Sequence, residues 1–405
     1  MVRISLAATF VGLALASSGA YAANSTNVEQ ELDALKQRIE QLESEQAETS
    51  KAQDSAFKFG GAARFTYSYT DYDNDNEDRG GDIDFELFRI GVDGEINGVI
   101  LSAEYRWYQY MDVVHHAYVG YHFDEHQQGK IGVTQVPFGI LTWASNSWFF
   151  SSNFYTGLED DYDLGLNYTY TNDRGRLDLA FYKNDEQGGI DGYVGDRADR
   201  YSYDVVGVRL DGEGTFAAPS MAAGETNTFN VRYVHNFNWD EVALEFGGSG
   251  QFGQLELDNN DGDHYAAAVH GVVNYDRWNL KLQLTDYGYD VDGMDVAQMV
   301  VGAYAFFDSI PAEATSYMAN IAYSLPVSIG PVSNLTFYND YSIITEKSGN
   351  LADTFMNVTG VAIAAGGLFT YVDFVVAENQ PFVGGSLVGT DGTNQRFNIN
   401  VGYYF

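Results

Sequence analysis

From Gln395 to Phe405 the chain alternates without a break. Phe397, Ile399, Val401, Tyr403 and Phe405 are apolar, while Asn398, Asn400, Gly402 and Tyr404 between them are polar or small. Side chains of a strand point alternately to its two faces, so this stretch has one greasy face and one wet face. The same period of two recurs along the chain. Phe57, Phe59, Ala63, Phe65, Tyr67 and Tyr69 oppose Lys58, Arg64, Thr66 and Ser68. Val99, Leu101, Ala103, Tyr105 and Trp107 oppose Ser102, Glu104, Arg106 and Tyr108. Trp278, Leu280, Leu282 and Leu284 oppose Asn279, Lys281, Gln283 and Thr285. No apolar run after residue 22 approaches the roughly 20 residues that a membrane helix needs. If such a chain spans a bilayer it does so as a closed barrel, because only closure satisfies every strand's backbone groups in lipid.

Composition narrows the classes. Of 405 residues none is Cys, which removes disulfides, thiolate metal sites and a Cys nucleophile. Aromatic residues at 15% with 43 Gly fit a barrel with interfacial girdles, and equally a soluble β-sandwich. The formal charge of −36 disfavours nucleic acid as a partner and favours cations, including divalent ions bridging to lipopolysaccharide. The same acidity also serves simply to solvate long surface loops.

The N-terminus supplies the compartment. Arg3, the apolar run Ile4–Ala16 and Ala20-Tyr21-Ala22 form an export signal over residues 1–22, cut after Ala22. Residues 23–55 follow. In them Val28, Leu32, Leu35, Ile39 and Leu42 are spaced four, three, four and three, the seam of a short coiled coil. Two heptads are marginal alone, so a fraying amphipathic helix and a protomer-joining coil both stay open. Residues 56–405 then read as an all-β, transmembrane antiparallel barrel of 16 strands, with 18 possible. Tight turns at Asn97-Gly98, Asn172-Asp173-Arg174-Gly175 and Gly366-Gly367 alternate with long loops. Strict alternation of short and long connections breaks twice, at Gly212–Thr226 and Phe307–Thr315.

One long interruption stands inside the barrel. Segment 136–163 lacks strand alternation and carries Pro137, Phe138, Gly139, Trp143, Trp148, Phe149, Phe150, Phe154 and Tyr155. Such aromatic density suits a loop folded inward to narrow a pore; packing on the barrel rim is the alternative. Arg64, Glu104, Arg106, His116, Arg176, Asp178, Arg209, Arg232, Glu245 and Lys281 fall on the polar parity and are the candidate pore-lining residues.

Sharper chemistry is thin. Asp71, Asp73 and Asp75 open a calcium-loop-like spacing, but Asn76 stands where Gly is wanted and Asp82 replaces the bidentate Glu. They remain weak divalent candidates, and no other cofactor is expected. His115 and His116 would point to opposite faces of a regular strand, which argues against a shared metal. No local motif singles out a Ser/His set, so an enzyme and an adhesin are minor alternatives.

Two stretches carry a resemblance. The terminal strand with Tyr403 and Phe405 resembles the assembly signal of bacterial outer-membrane barrels. Gly132-Val-Thr-Gln-Val-Pro-Phe-Gly139, before an aromatic loop, resembles a segment of the phosphate-selective porin O/P family. That resemblance implies a homotrimeric barrel of 16 strands in the outer membrane, its N-terminus in the periplasm, in contact with lipid and lipopolysaccharide. It also implies passive passage of small hydrophilic solutes or ions, with phosphate and other anions as narrower substrates, while the aromatic loop residues would suit sugars or aromatic acids. The family's lumenal arginine ladder has no counterpart here, because 21 Lys and Arg are scattered among 57 Asp and Glu. A mixed lumen with weak cation preference is therefore expected.

Overall fold

A computed structural model describes residues 57–390 and 392–405. The export signal and the Val28–Leu42 seam lie outside the described residues. The ring starts with β1 (Lys58–Thr70), β2 (Asp82–Ile96), β3 (Val99–Tyr108), β4 (Asp112–His122), β5 (Gln127–Gln135), β6 (Tyr162–Asn172) and β7 (Gly175–Asp185). After β8 (Asp204–Val208) it continues with β9 (Met221–Trp239), β10 (Val242–Leu257), β11 (Asp261–Tyr275) and β12 (Trp278–Val291). The hairpin β13 (Gln298–Ala303) and β14 (Phe306–Pro311) intervenes. Then come β15 (Glu313–Ile329), β16 (Val332–Thr345), β17 (Thr354–Ala365), β18 (Leu368–Glu378) and β19 (Thr393–Tyr404). The wall of 16 antiparallel strands closes where β1 meets β19, with Phe65 opposite Val401 and Tyr67 opposite Ile399.

The two breaks in turn alternation have one cause. β7 pairs directly with β9, and β12 pairs directly with β15, so β8, β13 and β14 stand outside the ring. They pair with each other as a small sheet, and β8 also catches the first residues of β9. A strand count from periodicity includes these three, whereas closure excludes them.

The alternation sorts as lipid and lumen demand. Phe65, Val231, Tyr233, Phe252, Val269, Leu282, Ile321 and Phe337 are exposed on the outside. Thr66, Asn167, Asn230, Gln251, Gln283, Asn320 and Asn400 are buried on the inside. Aromatics gather at the short-turn end, where Phe237, Trp239, Tyr275 and Trp278 are all exposed, as interfacial anchors are.

Two β-bulges re-aim side chains. Between β1 and β2, Arg64 faces Leu87 and Phe65 faces Phe85, so Glu86 is the extra residue. Outward positions therefore run Ile83, Phe85, then Phe88 and Ile90, and Arg89 turns inward. Between β3 and β4, Glu104 faces His116 and Tyr105 faces Val114, which makes His115 the extra residue. The expectation that His115 and His116 point apart is thus corrected. The bulge brings both inward, with their Nδ1 atoms 2.8 Å apart.

Candidate functional site

The segment 136–161 leaves β5 and returns beside it, with Val136 N–H donating to Asp161 O at 2.9 Å. Between these ends it reaches the opposite wall. Arg232 Nε donates to Gly139 O at 2.7 Å, and Ile140 N–H donates to Gln283 Oε1 at 2.9 Å. Asn320 Nδ2 donates to Ala144 O at 2.8 Å. Asp340 accepts from the N–H groups of Asn146 and Ser147, both at 2.7 Å. Ser152 N–H donates to Ser342 Oγ at 3.1 Å. Strands β9, β12, β15 and β16 thus each meet the backbone polar groups that a segment without its own ladder must satisfy.

Glu159 holds the segment's own shape. It is 6% exposed and accepts from Ala144 N–H at 2.9 Å, from Ser151 N–H at 3.1 Å and from the Ser151 hydroxyl. Burial pushes its carboxyl up, and these donors pull it part of the way back. Gly139 sits at φ +59, and a Cβ there would lie 2.6 Å from the Gln283 amide. Its bareness lets the backbone reach the far wall.

The aromatic residues divide by role. Pro137, Phe138 and Phe149 are buried in the packing. Phe154 meets Tyr203 at 5.5 Å and stacks on Phe150 at 4.3 Å, while Tyr155 meets Phe382 at 6.1 Å. Tyr201 and Tyr203 come from the β7–β9 connection, Tyr304 from the β13–β14 turn and Phe382 from the β18–β19 connection. These rings join 136–161 to the long loops.

Facing the segment, the wall of β1 to β4 encloses a cavity of about 600 Å³. Arg64, Arg89, Arg106, His115 and His116 line it from the wall, Arg396 from β19, and Trp143, Trp148, Phe150 and Tyr155 from the segment. Its carboxylates are Asp84, Glu86, Glu104 and Asp160. Arg64 is ion-paired to Glu86. Glu104 takes Arg89 at 3.0 Å and Arg106 at 2.6 Å. The Arg106 guanidinium lies 4.4 Å from the Tyr201 ring centre, and that of Arg396 lies 5.2 Å from the Phe149 ring. Trp148 Nε1 donates to Glu86 Oε1 at 3.3 Å, across the cavity.

Of the sequence candidates, Arg64, Glu104, Arg106 and His116 come together here. Glu245 and Lys281 line a second cavity of about 470 Å³, and Trp143 borders both. Asp178 and Arg232 are buried beside the part-exposed Arg176, with Arg176 Nη2 at 2.7 Å and Arg232 Nη1 at 3.7 Å from Asp178, and Arg232 Nη2 at 3.2 Å links them to Glu245. Arg209 is a correction. It follows β8, outside the ring, and binds Ser309 Oγ and the carbonyls of Thr215 and Ala217, so it ties the small sheet together. Asp73 is another. It caps the helix α1 (Asn74–Arg79), accepting from Asp75 N–H and Asn76 N–H, while Asp71 accepts from Gln395 N–H. Sequence reasoning missed Glu86, Arg89 and His115, which the two bulges deliver, and Arg396, which sits on the terminal strand.

No family description matches the sequence, and no curated protein does. The likeness at Gly132–Gly139 therefore stands on that octapeptide alone. Solved structures share the fold at low identity. OmpF of Salmonella typhi, in complex with daunomycin, aligns at TM-score 0.55 and 12% identity over 87% of this chain and 99% of its own. OmpT of Vibrio cholerae aligns at 0.53 and 13% over 86% of this chain and 97% of its own. The outer-membrane channel DcaP of Acinetobacter baumannii aligns at 0.53 and 9% over 87% and 97%. The chain has the fold of the bacterial outer-membrane porins.

Proposed function

We propose that this protein is an outer-membrane diffusion porin, and that the narrowest part of its bore runs between the 136–161 segment and the β1–β4 wall. The observation that carries the reading is the anchoring of that segment to the far wall, where Gly139 N–H also donates to Ser249 Oγ of β10 at 3.0 Å. An ornamental loop on the rim has no reason to satisfy its backbone on β9, β12, β15 and β16. Solutes cross by passive diffusion, and no bond is made or broken. One of the solved relatives in fold is described as a trimer form, which supports a homotrimer here.

Selectivity follows from the cavity's own charges. Four arginines face four carboxylates, so the bore is close to neutral. Rings beside guanidiniums suit small aromatic or sugar-derived carboxylates, which combine a flat apolar body with an anion. Phosphate shares the anionic feature and lacks the apolar one.

Planar-bilayer reversal potentials under a KCl gradient test both levels. Discrete conductance steps are expected, with weak ion preference that moves toward cations in the double variant Arg64→Gln, Arg106→Gln. An absence of steps would overturn the porin reading. A preference unmoved by the double variant would place the bore elsewhere.

A further inference from the structure

An acidic cluster lies where the 136–161 segment rejoins the wall. Asp161 ends the segment, Asp163 lies on β6 and Asp204 opens β8. One carboxylate oxygen from each lies within 4.8 Å of the others. Two oxygens bound to one calcium ion stand at most twice a bond of about 2.3–2.6 Å apart, so the three can share an ion. All three residues are more than nine-tenths buried, at 8, 6 and 7% exposed.

Counter-charge is short. Arg200 is wholly buried and lies 2.7 Å from Asp204 and 3.5 Å from Glu186. Its other nitrogen reaches Asp185 at 3.2 Å, and Arg197 reaches the same carboxylate at 2.7 Å. Asp185 further accepts from Gln187 N–H and Gly189 N–H, so it is fully engaged. Two guanidiniums thus serve Asp185, Glu186 and Asp204, and neither makes an ion pair with Asp161 or Asp163.

A second observation points to a ligand. Asp163 Oδ1 is buried with no hydrogen-bond partner among the described residues. Asp163 is itself one of the three converging groups. Buried acceptors are ordinarily paired, and buried charges are paired or bind metals. Every donor here is a hard oxygen, which selects calcium-like ions over zinc or copper.

We infer that Asp161, Asp163 and Asp204 hold one divalent cation of the calcium class. The ion joins three pieces that the backbone leaves separate. These are the end of the 136–161 segment, the barrel strand β6 and the small sheet led by β8. It is therefore a structural clamp on the element proposed to set the bore.

The test is equilibrium calcium binding by the full-length, detergent-solubilised protein after EDTA treatment and dialysis, read by calorimetry with CaCl2. One saturable calcium ion per protomer is expected. Asp163→Asn and Asp161→Asn should each weaken binding at least tenfold. The triple variant Asp71→Asn, Asp73→Asn, Asp75→Asn should bind as the parent does. The heat-modified gel shift confirms that each barrel has closed, and Asp161→Asn keeps an acceptor oxygen for the Tyr162 N–H, so it serves if Asp163→Asn fails to assemble. No saturable calcium in the parent overturns the inference, as does parent-like affinity in both single variants. This readout needs no conductance, so its failure is distinct from failure of the porin reading.

Discussion

Removing the Asp340 carboxylate should loosen the bore without unfolding the barrel. Asp340 sits on β16, opposite Asn320 of β15, and is 4% exposed. One of its oxygens accepts from Asn146 N–H and Ser147 N–H, each at 2.7 Å, and the other accepts from Asn146 Nδ2 at 2.8 Å. Hydrogen bonds to a charged acceptor each contribute roughly 1.5–3 kcal/mol. Water entering a wet lumen recovers part of that, so the lower end applies and Asp340→Ala should cost docking of this stretch about 4 kcal/mol. That is a population shift of roughly a thousandfold. The segment stays tethered on both sides, by Gly139 and Ile140 before it and by Ser152 after it. Only the piece carrying Trp148 is freed. Single-channel recordings should show a larger mean conductance with added current noise. Asp340→Asn keeps one acceptor oxygen for the two N–H groups and should fall between parent and Asp340→Ala. Conductance and noise identical to the parent in Asp340→Ala would refute the claim that this anchor limits the bore.

Two further outcomes are expected. Asp308 on β14 is 1% exposed and accepts from Ser386 Oγ at 2.6 Å, and burial pushes its carboxyl up to about 7 from 3.8. A raised carboxyl binds more protons folded than unfolded, so the contact between the small sheet and the 379–392 connection is strongest in acid and weakens as pH rises from 4 to 7. The span corresponds to roughly 4 kcal/mol at most. Limited proteolysis of that connection at pH 5 and pH 8 should show the difference in the parent and lose it in Asp308→Asn. Deleting Phe405 removes the paired bonds between Gly61 and Phe405, at 3.0 and 3.1 Å, that finish the β1–β19 closure. Assembled yield on heat-modified gels should fall severalfold, and unchanged yield would separate the terminal aromatic from ring closure.

The wall of this protein is legible in the sequence because lipid and lumen impose opposite demands on successive residues. Wherever both demands act, parity alone places the side chain, as at Arg64, Arg106 and Lys281. Parity fails at an extra residue. Glu86 and His115 are such residues, and no composition cue marks either one, so Arg89 and the histidine pair came into view only with the strand register. Periodicity alone leaves 16 and 18 strands both open for a different reason. β8, β13 and β14 are short apolar runs that could be taken for wall strands, and pairing decides that they form a separate sheet. The acidic cluster was invisible because Asp204 is distant in sequence from Asp161 and Asp163. The visible run Asp71–Asp75 drew attention instead, although Asp73 turned out to cap a helix. Charge patterns seen along a chain report local solvation; convergence of charges needs topology.

The same distinction governs what a net charge of −36 means for transport. Fields between exposed charges fade over about 8–10 Å at moderate salt, so a carboxylate at a distant turn does not bias an ion inside the bore. Many acids of this chain are of that kind. Asp124, Glu125, Asp240, Glu241 and Asp276 lie at or beside short turns, and Asp191, Asp196, Asp211 and Asp258 lie on the connections at the other end, all exposed. They concentrate cations at the mouths. Inside, Glu86 and Glu104 are already committed to Arg64, Arg89 and Arg106, and only the difference between those groups acts on a passing ion. Overall acidity and bore selectivity are therefore separate quantities. An acidic porin that passes organic anions as readily as potassium involves no contradiction, because the residues that make it acidic are not the residues that make it choose.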